Sequence, residues 1–225
     1  MTFKCEYCNK TFKKENTIAV HMCEKKRRFK QEHDKNVQLA FRSYQLFYKI
    51  GTNSKKEKTY SDFANSNYYN GFVKFAGYCM DLNVDDVAGY TRWLLNNQVK
   101  LDSWASDRSF TEWQKSRIKN ESVDRAVERT VLFFQSWSEQ TGNQFNDYFR
   151  LVNPNVAVFD ICSGKISPWV LFNCETAEIL LEKMNEEQIR MVIEYIDPTF
   201  WTPVFRSKKE DVEWVKQLLA NGGLN

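Results

Sequence analysis

Histidine is nearly absent from this chain: only His21 and His33 occur in 225 residues. A metal site built on several imidazoles is therefore excluded. A cysteine–histidine nucleophile pair is excluded in the body of the chain, where cysteines have no imidazole to activate them. Glycine and proline are also scarce, at 8 and 4 residues, which argues against a turn-rich all-β protein. No apolar run is long enough to span a bilayer. No secretory leader pattern precedes Cys5, so a reduced, cytoplasmic compartment is expected. There a C-x-x-C pair is a metal site sooner than a disulfide.

What is present is a globular composition, 42% hydrophobic and 15% aromatic, on a chain long enough to bury a core without staples. The net charge is only +3, but it is unevenly distributed. Residues 1–60 hold 15 Lys/Arg against 6 Asp/Glu, a balance of +9, and residues 61–225 hold 17 against 23, a balance of −6. A basic module joined to a mildly acidic body suggests a polyanionic partner at the N-terminal end, most often nucleic acid.

The basic module opens on Phe3, Cys5, Cys8, Phe12, Ile18 and His21, in the pattern F-x-C-x2-C-x3-F-x5-I-x2-H. This spacing resembles the C2H2 zinc-finger family over residues 3 to 24. The resemblance implies a ββα unit with a hairpin over 3–12, a helix over 14–22, and Zn2+ held by Cys5, Cys8 and His21. Zinc takes four tetrahedral ligands from thiolate and imidazole, and the family's second histidine is missing here. Its positions are filled by Lys25, Lys26 and Arg27. Cys23 is the nearest replacement, and it reaches the ion only if the helix ends near Met22, because position i+2 lies on the wrong side of a continuing helix. His33, or a fourth position with no protein ligand, are the alternatives. Three cysteines and one histidine describe a closed structural site. So small a unit has too little apolar area to fold alone, and metal binding would supply most of its stability.

In family fingers a few positions ahead of the first helix histidine face the bases of DNA. Here those positions hold Lys14, Asn16, Thr17 and Val20; Lys14 could donate to guanine and Asn16 could pair with adenine. Lys25, Lys26, Arg27, Arg28 and Lys30 follow as candidates for phosphate contacts. The sequence His21-Met22-Cys23-Glu24 and the basic run after it are also similar to lone N-terminal fingers of T4-like tailed-bacteriophage proteins. That resemblance implies a viral product in a host cytoplasm and no defined activity.

The remainder reads as helix. Val37, Phe41, Tyr44 and Tyr48 form one apolar stripe on a basic amphipathic helix over 25–50. The polar segment 51–59 is expected to be a linker, with Ser61 as the N-cap of the next helix. Residues 60–225 are expected to form an all-α domain, in which 143–175 is ambiguous between strand and helix. Phe72, Phe75, Tyr78, Tyr90, Trp93 and Trp137 recur at helical spacing and are assigned to core packing. Phe72-x-x-Phe75 and Tyr90-x-x-Trp93-Leu94 resemble the DNA-clamping half of tyrosine recombinases. The catalytic half of those enzymes needs a histidine among its arginines, and none is available in this body. Ser163-Gly164-Lys165 lacks the glycine-rich run of a phosphate loop. The expected fold is thus mostly α, and the expected protein is not an enzyme. It is a nucleic-acid-binding accessory or regulatory protein, DNA ahead of RNA, whose body contacts a protein and no membrane. The alternative is a structural or assembly protein with the finger as a folding or interaction module.

Overall fold

The computed structural model describes residues 2–51 and 56–224. Among these the chain forms one two-stranded antiparallel sheet, fifteen α-helices and two short 3-10 turns. It divides into two compact units, Met1–Trp113 and Gln114–Asn225, each with its own core.

The first unit begins with β1 (Phe3–Lys4) paired to β2 (Thr11–Phe12), in register Phe3 opposite Phe12, followed by α1 (Glu15–Ala19). The single helix expected over 25–50 is two, α2 (Glu24–Lys30) and α3 (Lys35–Gly51). Helical geometry gives the reason. On one continuous helix Arg28 would point about 150° away from the stripe of Val37, Ala40 and Tyr44. The stripe is buried and the Arg28 side chain is held largely out of solvent against α4, so the chain turns through Gln31–Asp34 to re-aim. Of the expected linker 51–59, residues 52–55 lie outside the described residues, and Thr59 already belongs to the next helix, α4 (Tyr60–Ala64). Thr59, rather than Ser61, is the N-cap: its hydroxyl accepts the Asp62 N–H, and the Asp62 carboxylate accepts the Thr59 N–H in return, a reciprocal capping box.

Next come α5 (Tyr69–Asp81), α6 (Val87–Asn96) and α7 (Asp107–Asn120). Asp86 caps α6 through the Gly89 N–H at 2.7 Å. The core between α3, α5 and α6 is aromatic. Phe63, Phe72, Phe75, Tyr90 and Trp104 are fully buried, with the Trp104 ring edge-on to Phe72 and Phe75 at 5.5 and 5.2 Å. Its indole N–H donates to the Val99 carbonyl, and the Tyr90 hydroxyl donates to the Trp104 carbonyl, so the polar tips of these large side chains are satisfied.

The second unit is built on α8 (Val123–Thr141), which ends at Gly142 with φ 73°, a left-handed conformation that glycine adopts without steric cost. The ambiguous stretch 143–175 is helical: α9 (Tyr148–Leu151), α10 (Pro154–Cys162) and α11 (Pro168–Leu171). Proline at the first helical position starts both α10 and α11, a signal that outweighs the strand-like run Val156–Phe159. α12 (Thr176–Glu182), α13 (Glu186–Ile196), α14 (Pro198–Ser207) and α15 (Lys209–Asn221) complete it. At its centre Asp160 is buried and doubly bound, by the Tyr148 hydroxyl at 2.7 Å and the Lys165 ammonium at 2.9 Å. Lys165 therefore neutralises a buried carboxylate from the turn at Gly164.

Candidate metal centre

The hairpin of β1 and β2 brings two thiols to one point. The Asn9 N–H donates to the Cys5 carbonyl and the Cys5 N–H to the Lys10 carbonyl, both at 2.9 Å. Asn9 takes φ 62° at the turn, and asparagine is among the few residues that enter the left-handed region readily. Across the unit the Phe12 ring lies 4.7 Å from the His21 ring and fixes the direction of the imidazole.

α1 stops at Ala19, and the His21 N–H closes back on the Ile18 carbonyl at 3.1 Å. The chain is then extended through Cys23, with φ −84° and ψ 164°. This meets the geometric condition for Cys23, since a helix continued through Met22 would turn its sulfur away. Sγ of Cys5, Cys8 and Cys23 and a ring nitrogen of His21 all lie within 4.8 Å of one another. Cys5 Sγ and Cys23 Sγ are 4.0 Å apart, and Cys8 Sγ and His21 Nε2 are 3.3 Å apart. Thiolates about 2.3 Å and an imidazole about 2.1 Å from one tetrahedral ion would give edges of about 3.8 and 3.6 Å. The four donors thus enclose a space that one metal ion fits. His33 is exposed and lies outside this group.

The donor chemistry supports the same conclusion. Hydrogen bonding from the Cys8 backbone, opposed by burial and helped by the Tyr7 backbone, holds the Cys5 thiol below its ordinary range. At Cys8 the Lys10 backbone pulls down, but burial and the neighbouring sulfurs of Cys5 and Cys23 prevail and push the thiol up. Thiols packed this closely resist joint ionisation unless a cation offsets their charge. Cys5 is buried and the other three are half-buried, so four protein donors close the site. Cys79 and Cys174 are buried apart from it, and Cys162 is half-buried.

Cys23 has a second role, because its Sγ accepts the Lys26 N–H at 3.4 Å and caps α2. One face of α2 is spent on packing. The Phe29 ring sits 5.3 Å from Tyr7 and 6.1 Å from Tyr60, forming a ladder from the hairpin that carries Cys5 and Cys8 to the helical core. Beside it the Arg28 guanidinium donates to the Ala64 and Ser66 carbonyls, both at 3.1 Å, and lies 4.5 Å over the Tyr69 ring. It also pairs with Glu24, and its side chain is only 12% exposed. Arg28, grouped by sequence with the phosphate-contacting residues, is instead turned into the protein. Lys25, Arg27 and Lys30 are exposed, whereas Lys26 is half-buried with its ammonium on the His21 carbonyl at 3.3 Å. Arg27 and Lys30 fall on the side of α2 away from Arg28 and Phe29. Lys14 stands at the start of α1, Asn16 and Thr17 lie within it, Val20 lies at its end, and all four are exposed.

The anchoring roles of Tyr7, Phe29 and Tyr60 were not read from the sequence. The available signal was Phe29, a lone aromatic within a run of cations. Elsewhere, a cleft of about 470 Å³ in the second unit is lined by Asn173, Cys174, Glu175, Glu178 and Lys216 among others. Its thiol is already engaged, with Cys174 Sγ 2.8 Å from the Leu224 carbonyl. No family model, curated protein or solved structure matches this chain.

Proposed function

We propose that this chain is a zinc-stabilised nucleic-acid-binding protein of accessory or regulatory type, DNA ahead of RNA, acting by binding and not by catalysis. The observation that carries the reading is the placement of unburied cations on both helices flanking one closed Cys3His centre. Lys14, with Asn16 and Thr17, lines α1 before the centre. Lys25, Arg27 and Lys30, with Lys26 partly withdrawn, line α2 after it. Zinc is the metal that three thiolates and one imidazole in a tetrahedron suit best. Cys5, Cys8, His21 and Cys23 would hold it, and bound there it would supply charge neutralisation and cross-linking. A single finger reads only about three base pairs, so the cations of α2 would carry much of the affinity through phosphates. A viral product acting in a host cytoplasm, with the helical units engaging a protein partner, is part of this proposal.

Fluorescence anisotropy with labelled DNA duplex and RNA, over about 50 to 200 mM salt, tests the reading. Affinity should fall steeply with salt, and Lys14→Ala combined with K25Q, R27Q and K30Q should abolish most of it. No binding at the low-salt end would overturn it.

A second reading is favoured by a specific contact. The Tyr7–Phe29–Tyr60 ladder makes the metal unit a staple for the first helical unit, as a structural or assembly protein would use it. Chelation that melts the first unit, in a protein indifferent to nucleic acid, would select that reading.

A further inference from the structure

α3 carries a line of cations on its outer side. Lys35, Arg42 and Lys49 are all exposed and seven residues apart, a spacing that drifts only about 20° per step around a helix. The line begins five residues past Lys30, on the face opposite the buried Val37, Ala40 and Tyr44. At 1.5 Å per residue it runs about 21 Å. It ends in a groove of about 440 Å³ walled by Arg42, Leu46, Tyr48 and Lys49 on one side and Lys56 and Lys58 on the other. The second wall is fixed to the first: Gln45 Nε2 donates to the Lys58 carbonyl at 2.9 Å, and the Lys58 ammonium sits 4.5 Å over the Tyr48 ring. Among the described residues no carboxylate pairs with Arg42 or Lys49.

The charge count decides what the groove accepts. Arg42, Lys49, Lys56 and Lys58 contribute four positive charges, Glu57 one negative, and Asp62, whose carboxylate feels Lys58 and Lys56, a second. The C-terminal end of α3 adds about −0.5, which leaves about +1.5 on one small concave surface. Such a surface attracts an oligoanion, and the length of the line indicates which kind. A nucleic-acid strand advances about 3.4 Å per phosphate along a duplex axis, so 21 Å faces about six phosphates.

We propose that this groove is a binding site for a phosphodiester backbone, which continues along α3 the contact begun at α2. The proposal rests on the nucleic-acid reading above and assigns that reading a second site. It accounts for how a chain with one short metal unit would hold a polyanion: three further contacts on a rigid helix lengthen the footprint.

The test uses the full-length protein, labelled DNA duplexes and single strands of increasing length, and a salt series. The triple variant R42Q/K49Q/K58Q should lower the slope of log affinity against log salt by about 2 to 3 and weaken binding about 10²-fold at about 0.1 M salt. Affinity should stop rising with oligonucleotide length earlier than in the wild type. Arg42→Lys with Lys49→Arg should retain the slope. Lys49→Glu, a charge reversal at an exposed position, supplies a variant whose fold is not at risk and should weaken binding at low salt. If these groove variants bind as the wild type does while K25Q/R27Q/K30Q loses affinity, the groove proposal is overturned and the nucleic-acid reading stands. If the wild type binds neither duplex nor single strand, both are overturned together.

Discussion

Replacing Arg28 with methionine separates two roles that a basic residue next to a metal unit can have. In the structure its guanidinium gives charged hydrogen bonds to the carbonyls of Ala64 and Ser66 and lies over Tyr69. Each hydrogen bond to a charged group is worth about 1.5–3 kcal/mol, and the cation–π contact about 1 kcal/mol. Methionine leaves the Ala64 carbonyl without a donor and the Ser66 carbonyl with the Tyr69 N–H alone, and it recovers about 1 kcal/mol of apolar burial. The net loss should be about 3 kcal/mol, close to a 10²-fold rise in the local opening constant. Because the chain has two compact units, one global melting curve would blend them. Hydrogen–deuterium exchange of peptides from residues 60–81 reads the first unit directly. Amides of α4 and α5 should lose about 10²-fold protection, while those of α11 in the second unit should keep theirs. The salt slope of nucleic-acid binding should not change. Unchanged exchange in α4 and α5, or a slope reduced by about 1, would refute the anchoring role and return Arg28 to the phosphate-contacting group.

Further outcomes follow from other sites. Wild-type protein should carry about one zinc per chain, and Cys23→Ala should weaken metal affinity by at least about 10²-fold; full affinity in that variant would move the fourth position to His33 or water. Burial pushes the Cys79 thiol from 9.0 up to about 12, and burial likewise raises Tyr44 to about 12. Both raise the folded-state pKa, so the stability they contribute is complete below about pH 9 and is lost as pH rises toward about 12. The protection of α5 amides should therefore fall with alkalinity once intrinsic exchange rates are divided out, and Cys79→Ala should flatten the slope. Tyr148→Phe leaves Asp160 Oδ2 without its donor and should cost the second unit about 1–3 kcal/mol, read from exchange in α10.

The mostly helical character was legible because apolar residues recur at helical spacing throughout. The cluster of Cys5, Cys8, His21 and Cys23, which could hold a metal ion, was legible because C-x-x-C and a histidine return with matching apolar residues Phe3, Phe12 and Ile18. The break between α2 and α3 was not, because periodicity reports that a stripe exists and not where the chain turns to re-aim it. Only the partners of Arg28, distant in sequence at Ala64 and Ser66, require that turn. The helix at Pro154–Cys162 was obscured because Val156–Phe159 has β-type side chains, and packing in the second core overrides that local preference. Thr59 as a cap was missed in favour of Ser61, two residues later. The choice depends on Asp62 standing third in the helix, where its carboxylate can reach back.

A small unit with its own Cys/His cluster is easily pictured as a portable bead that can be moved from chain to chain. The Tyr7–Phe29–Tyr60 ladder makes this one a poor candidate for transplantation. Cutting it away at residue 24 would strip the sulfur cap from α2 and leave Phe29 facing water. Grafting another small unit in its place would have to reproduce an aromatic ring at the Tyr7 position within the tip of a hairpin. The metal unit and the first helical unit are therefore constrained to vary together, and a homologue that loses Cys23 should also show change at Tyr7 and Phe29.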